Sequence, residues 1–151
     1  MKERRKPTNE LRLVLPSHSV NESLARSLSA AFVSQVNPTV TELSDIKCAV
    51  SEAVTNCIVH GYANALGMIY ITMKLYDNRE FRIEIKDKGR GIPNLDEAMQ
   101  PLYTTDKENE RSGMGFTIME NFMDSLKVTS AAGKGTKVIM SKHFSPLPRI
   151  K

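Results

Sequence analysis

The amino-acid sequence predicts an α+β fold, a two-layer sandwich in which helices cover one face of a mixed, mostly antiparallel sheet. Two observations carry that expectation. Apolar and polar residues alternate along 68–76 and again along 81–87, with only a short polar turn between, the pattern of a hairpin buried on one face. Apolar residues recur at helical spacing in 19–36, 39–60 and 115–126, and these segments do not alternate one for one with strands, so a doubly wound parallel sheet is not expected.

The elements run in order along the chain. Leu11, Leu13 and Leu15 alternate with Arg12 and Val14, a short strand ended by Pro16. Ser19 and Glu22 stand at capping-box spacing, and Leu24, Leu28, Ala31 and Phe32 then repeat with helical period. Asn37-Pro38 breaks the chain. Thr39 or Thr41 caps a second helix that runs through His60 and stops at Gly61. In the hairpin, Ile69, Ile71, Met73 and Leu75 point one way, as do Phe81, Ile83 and Ile85. Leu95 to Met99 forms a short helix before Pro101. Phe116, Met119, Phe122, Met123 and Leu126 share one helical face, and 127–143 reads as two strands around a glycine-containing turn.

With 151 residues, 40% of them apolar and 25% charged, the chain suits one soluble domain, read as 11–144 between a basic, flexible segment 1–10 and a tail 145–151. The net charge of +4 is mild and sits partly in Met1–Lys6, where no aromatic residue lies nearby, so nucleic acid is not an expected partner. No apolar run is long enough for a membrane span. Cys48 and Cys57 are not in a CxxC pair and read as reduced thiols of a cytoplasmic protein.

The chemistry concentrates in a few stretches. Glu52, Asn56 and His60 recur at four-residue steps, which puts a carboxylate, an amide and an imidazole on one helix face, while Ala49, Val50, Ala53, Val54, Cys57 and Ile58 face a core. Asn56 offers Mg²⁺ a neutral oxygen beside nucleotide phosphates, and Glu52, one turn away, stands where a base is needed. His60 reads either as a group on the phosphate side or as a helix-end imidazole facing the dipole. Asp87 ends a strand and suits an exocyclic amine such as that of adenine; Gly89 and Gly91 before Ile92 allow close backbone approach. Gly113 and Gly115, in Ser112-Gly113-Met114-Gly115-Phe116, open a helix whose N–H groups suit phosphate oxygens. Ala132–Lys137, with Thr136, reads alone as a hairpin turn. The long polar segment 94–112 reads as a lid. Walker and GxGxxG spacings are absent.

In that order, EAVTNCIVHG, DKGRG, GMGF and GKGT resemble the N, G1, G2 and G3 boxes of the GHKL ATP-binding family, with its Bergerat fold, over 11–143. Within it, NESLAR, SEAVTN, HGY, QPLYTT and RSGMGFTIMENFMD are similar to the anti-sigma-F factors of spore-forming bacteria. That resemblance implies a homodimeric serine protein kinase that binds ATP or ADP with Mg²⁺, inhibits a sporulation sigma factor and phosphorylates a serine of an anti-anti-sigma protein. It implies Glu52 as catalytic base, Asn56 on Mg²⁺, Asp87 on adenine, Gly113 to Phe116 on phosphates with Thr104, Thr105 and Arg111 from the lid, and Arg26 at the partner surface. The departures are a longer basic N-terminus and Cys57, where a small aliphatic residue is common. The alternatives are a stand-alone GHKL binding module, a histidine-kinase catalytic domain, for which the chain holds no phosphoacceptor hairpin, and a motor ATPase, for which it holds no transducer domain.

Overall fold

A computed structural model describes residues 5–99 and 115–147. Among these, strands β1 (Asn9–Pro16), β2 (Met68–Leu75), β3 (Glu80–Asp87), β4 (Ser125–Ala131) and β5 (Gly135–His143) form one sheet in the order β1-β2-β3-β5-β4, with every pairing antiparallel. Helices α1 (Val20–Val33), α2 (Val40–Asn56) and α4 (Gly115–Phe122) carry the helical layer, and α3 (Leu95–Ala98) is a single turn. The α2 helix packs against both α1 and α4.

The strand alternation decides which face is covered. Ile69, Ile71, Met73 and Leu75 are buried, as are Phe81, Ile83 and Ile85 directly opposite them, and Val138 and Met140 continue the same face on β5. Ile46, Val50, Val54 and Met119 close over this layer from the helices. Full burial of each large aliphatic side chain is worth about 1.5–3 kcal/mol, so the three central strands and α2 supply most of the apolar stabilisation. The opposite sheet face keeps Thr72, Lys74, Arg82, Glu84 and Lys86 at least partly in solvent.

Four details depart from the periodicity. The buried stripe of α1 is Ala25, Ser29, Phe32 and Val33, not the Leu24, Leu28, Ala31 and Phe32 face; Leu24 is 43% exposed. Two small residues face inward instead, which lets α1 come close to its neighbours. Ser19 makes no side-chain cap, because its backbone is already helical (φ −58°, ψ −30°), and Glu22 is engaged by Ser51 and Arg26 instead. The α form of the second helix ends at Asn56, and Cys57–Gly61 is a π-helical turn in which Tyr62 N–H reaches Cys57 O at 2.9 Å. The last helix stops at Phe122, so Leu126 reaches the core from β4, opposite Met140. There Lys142 Nζ donates to Phe122 O at 2.8 Å and Asp124 N–H donates to Ser141 O at 2.9 Å, which turns the chain onto β5.

Thr39 is the cap of α2: its hydroxyl accepts from Glu42 N–H at 3.1 Å, and Glu42 accepts from Thr39 N–H at 2.8 Å. The second Glu42 oxygen accepts from Ser145 N–H at 2.8 Å and pins the C-terminal segment to the helix start. Burial alone would raise the Glu42 pKa, but the N–H groups of Thr39 and Ser145 outweigh it and hold the carboxyl below its ordinary value. A depressed carboxyl stabilises the fold above its unfolded pKa and ceases to do so as pH falls through the folded value. Glu42→Gln is therefore expected to lower urea stability at pH 7 by about 1 kcal/mol, the usual scale of a cap, and the gap to the parent should close as pH falls below the ordinary glutamate value. A gap that stays constant down to pH 3 would count against the charged cap.

Candidate functional site

The site forms where α2 ends, β3 ends and α4 begins. Phe81, Ile83, Ile85 and Asp87 lie in phase along β3, so the alternation that builds the core also buries the carboxylate, at 3% exposure. Gly89 N–H donates to Asp87 Oδ1 at 2.9 Å. Thr136 is the β5 residue paired with Asp87. Burial raises the Asp87 pKa above the ordinary aspartate value, and the Gly89, Cys57 and Thr136 donors pull it part of the way back.

Glycines make room around this carboxylate. A Cβ on Gly61 would sit 2.8 Å from Asp87 Cγ, and a Cβ on Gly89 would sit 1.9 Å from Gly61 O. The helix end and the strand end therefore touch without side chains between them. Gly91 has φ +75°, and a Cβ there would meet Ala131 O at 2.0 Å. Ile92 N–H donates to Ser130 Oγ at 2.8 Å, and the same hydroxyl bonds Thr136 Oγ1 at 2.8 Å. Ser130 thus ties the loop after β3 to the β4–β5 turn, a link that the sequence pattern does not signal.

The second half of the site faces α4. A Cβ on Gly115 would lie 3.2 Å from Asn56 Nδ2, 3.4 Å from Asn56 Oδ1 and 3.4 Å from Glu52 Oε2. Glu52 and Asn56 therefore converge on the first residue of α4, with Phe116 next in the chain. His60 does not continue that face in α-helical register, because the π turn intervenes. Its backbone O accepts from Arg90 Nε at 2.6 Å, which holds the loop after β3 against the helix end. Thr104, Thr105, Arg111, Ser112, Gly113 and Met114 lie outside the described residues.

Arg26 stands apart from the carboxylate end, on a groove of about 450 Å³ that Lys47, Ser51, Glu52, Ile118 and Phe122 also line. Glu22 holds Arg26 Nη1 at 3.4 Å and accepts a hydrogen bond from Ser51, so a polar chain across α1 and α2 orients the guanidinium. Glu52 is common to this groove and to the Gly115 contact. Lys47 and Ser51, one helical turn apart, were not singled out in the sequence. Among the described residues no group of three or more His, Cys, Asp or Glu side chains is placed to hold a metal ion. No helix among the described residues is long and apolar enough to cross a membrane.

Known proteins resemble this chain in sequence and in fold. Residues 15–142 match the family described as histidine kinase-like ATPase domain. Anti-sigma F factor from Thermoanaerobacter sp. (strain X514) is 54% identical over 91% of this chain and 95% of its own length. Anti-sigma F factor from Clostridium kluyveri (strain ATCC 8527 / DSM 555 / NBRC 12016 / NCIMB 10680 / K1) is 55% identical over 92% of this chain and 97% of its own. Among solved structures, that of the RsbU and RsbW domains of Rv1364c from Mycobacterium tuberculosis superimposes with a TM-score of 0.67 at 21% identity, covering 91% of this chain and 32% of that one. The catalytic domain of histidine kinase ThkA gives 0.55 at 17% identity, over 87% of this chain and 96% of that one.

The raised Asp87 pKa carries a stability consequence. A carboxyl whose folded pKa lies above its unfolded value binds the proton more tightly when folded, so the fold loses stability as pH rises between the two values. Asp87→Asn removes that charge and keeps an acceptor for Gly89 N–H. Its melting temperature relative to the parent is expected to improve from pH 4 to pH 7. A relative stability that is flat or falls over this range would show that the charge is not strained.

Proposed function

This chain belongs to the histidine kinase-like ATPase domain family and, within it, to the anti-sigma F factors, and from that premise we propose that it is an ATP-dependent serine protein kinase. It inhibits a sporulation sigma factor and, with Mg-ATP, phosphorylates a serine of the anti-anti-sigma protein that opposes it. It works as a homodimer in the cytoplasm.

The observation that carries the reading is the convergence of Glu52 and Asn56 on Gly115 at the start of α4. A glycine there leaves a cradle that any side chain would fill, at the positive end of a helix and beside an amide and a carboxylate. Phosphate fits such a place, because helix N–H groups and the dipole favour negative charge. Asn56 would hold Mg²⁺, which supplies charge neutralisation at the phosphates when bound. Asp87 takes the exocyclic N–H of adenine at the other end, with Gly89, Gly91, Ile92 and Thr136 shaping the wall. Residues 112–116, with Thr104, Thr105 and Arg111, complete the phosphate side.

In the transfer, the serine Oγ bonds to the γ-phosphorus as the bond from that phosphorus to the β–γ bridging oxygen breaks. ADP is the leaving group, and the hydroxyl proton passes to Glu52. Most of the rate comes from positioning and charge stabilisation, so Glu52 orients the hydroxyl as well as accepting its proton. The groove that Arg26 and Lys47 share with Glu52 supports an approach of the acceptor over α1 and α2, because the same carboxylate faces both spaces.

Incubation with Mg-ATP and the anti-anti-sigma protein should give acid-stable phosphoserine on that protein. Acid-labile phosphohistidine on this chain instead would overturn the serine-kinase reading. Glu52→Gln is expected to bind ATP within about twofold of the parent by calorimetry while transfer falls by about 100-fold or more. Unchanged turnover at saturating ATP would remove Glu52 from the chemistry.

A further inference from the structure

The helix-covered face of the sheet is built in rows that cross all five strands, and the row nearest the site changes chemistry. The row before it is Leu13, Ile71, Ile85, Val138 and Val128, apolar throughout. The last is Leu15, Ile69, Asp87, Thr136 and Ser130, apolar over two strands and polar over three. We propose that Ser130 is a positioning residue for base recognition: its hydroxyl holds the loop after β3 and the Thr136 hydroxyl in one arrangement, so that the wall beside the Asp87 carboxylate accepts an amine N–H and turns away a carbonyl oxygen. The inference rests on the reading of Asp87 as the base-binding group.

Three contacts fix the Ser130 hydroxyl. Ile92 N–H donates to Ser130 Oγ at 2.8 Å, Gly135 O lies 3.0 Å from it, and Thr136 Oγ1 lies 2.8 Å from it. A hydroxyl has one proton to give and two lone pairs to receive with. One assignment satisfies all three contacts: Ser130 donates to Gly135 O and accepts from Ile92 N–H and from the Thr136 hydroxyl. The Thr136 proton is then engaged, and Thr136 Oγ1 offers only lone pairs to a group beside Asp87. Asp87 and Thr136 are directly opposed across β3 and β5, so two acceptors stand side by side at the strand ends.

The loop after β3 is held at both ends. At its start, Tyr62 OH accepts from Lys88 N–H at 2.8 Å and Gly61 O accepts from Arg90 N–H at 2.8 Å, which ties it to the helix end. Further on, Gly133 N–H donates to Arg90 O at 2.6 Å, and a Cβ on Gly91 would meet Ala131 O, so the segment 90–92 rests on the β4–β5 turn. There the Ser130 hydroxyl takes Ile92 N–H. Removing it leaves that N–H without this acceptor. It also frees the Thr136 hydroxyl to turn its proton toward the site, where it would meet a carbonyl as readily as an amine meets the carboxylate.

The test is affinity by calorimetry, with Mg²⁺ present, for ADP and for inosine diphosphate, in which a carbonyl replaces the exocyclic amine. The parent is compared with Ser130→Ala, Ser130→Val, Ser130→Thr and Asp87→Asn, and the parent should prefer ADP. Ser130→Ala should bind ADP about 10-fold more weakly, the scale of a hydrogen bond to a charged group, and inosine diphosphate within about twofold of the parent, so the preference shrinks. Ser130→Val suits the edge strand β4, lacks the hydroxyl and stands in for Ser130→Ala should that variant fold poorly. Ser130→Thr keeps the hydroxyl and should keep the parent's preference. A loop tie alone would lower the melting temperature and weaken both nucleotides equally, and that result would overturn the proposal. So would a parent-like preference in Ser130→Ala and Ser130→Val that is lost in Asp87→Asn, which leaves the base-binding reading intact. A parent with no preference for ADP, or an Asp87→Asn variant that keeps one, would overturn that reading itself.

Discussion

The site depends on one constraint: a carboxylate sits at the end of a core strand, in phase with three buried apolar residues. A buried acid without partners would protonate or drive the strand end into solvent. Here the Gly89 N–H of the following loop meets it, and the helix end comes close enough to leave no room for a Cβ at Gly61. The contact between Gly61 and Asp87 sets how far α2 advances over the sheet. That distance in turn sets where Glu52 and Asn56 stand relative to α4.

The α2 helix therefore acts as a ruler with two working ends. Its last α-helical turn carries Glu52 and Asn56 toward Gly115, and the adjoining π turn carries Gly61 toward Asp87. The wider turn matters because an unbroken α-helix would keep positions four apart on one face, with His60 continuing the line of Glu52 and Asn56. Inserting the wider turn rotates the residues beyond Asn56 about the helix axis, so the Asp87 end and the Gly115 end need not lie in one line along the helix.

Much of this was legible in the sequence, for identifiable reasons. The hairpin of β2 and β3 was, because a strict two-residue period over two adjacent runs has one structural solution; the Thr39 cap was, because Thr-x-x-Glu is local. Burial of Asp87 was also readable from its phase with Phe81, Ile83 and Ile85, although its place at a strand end suggests only an acceptor. The α1 stripe is misphased by hydropathy because Ala25 and Ser29 bury through close helix approach, which hydropathy does not report. Leu126 fits a helical period, yet it lies on β4, because the end of α4 is set by Lys142 and Ser141 on β5, far away in the chain. The convergence of Gly115 with Asn56 rests on the packing of α2 against α4, a non-local fact that no local pattern encodes.

Stability and recognition pull in opposite directions at this strand end. The apolar face of β3 would gain from a fourth aliphatic residue at position 87, since burying one is worth about 1.5–3 kcal/mol and burying a carboxylate costs free energy even when it is well bonded. Gly61 and Gly89 compound the cost, because each gives up side-chain burial to let two backbones meet. A core evolved for packing alone has no use for that arrangement, whereas a site that must tell an amine from a carbonyl on a purine needs a fixed, ionised acceptor sheltered from water.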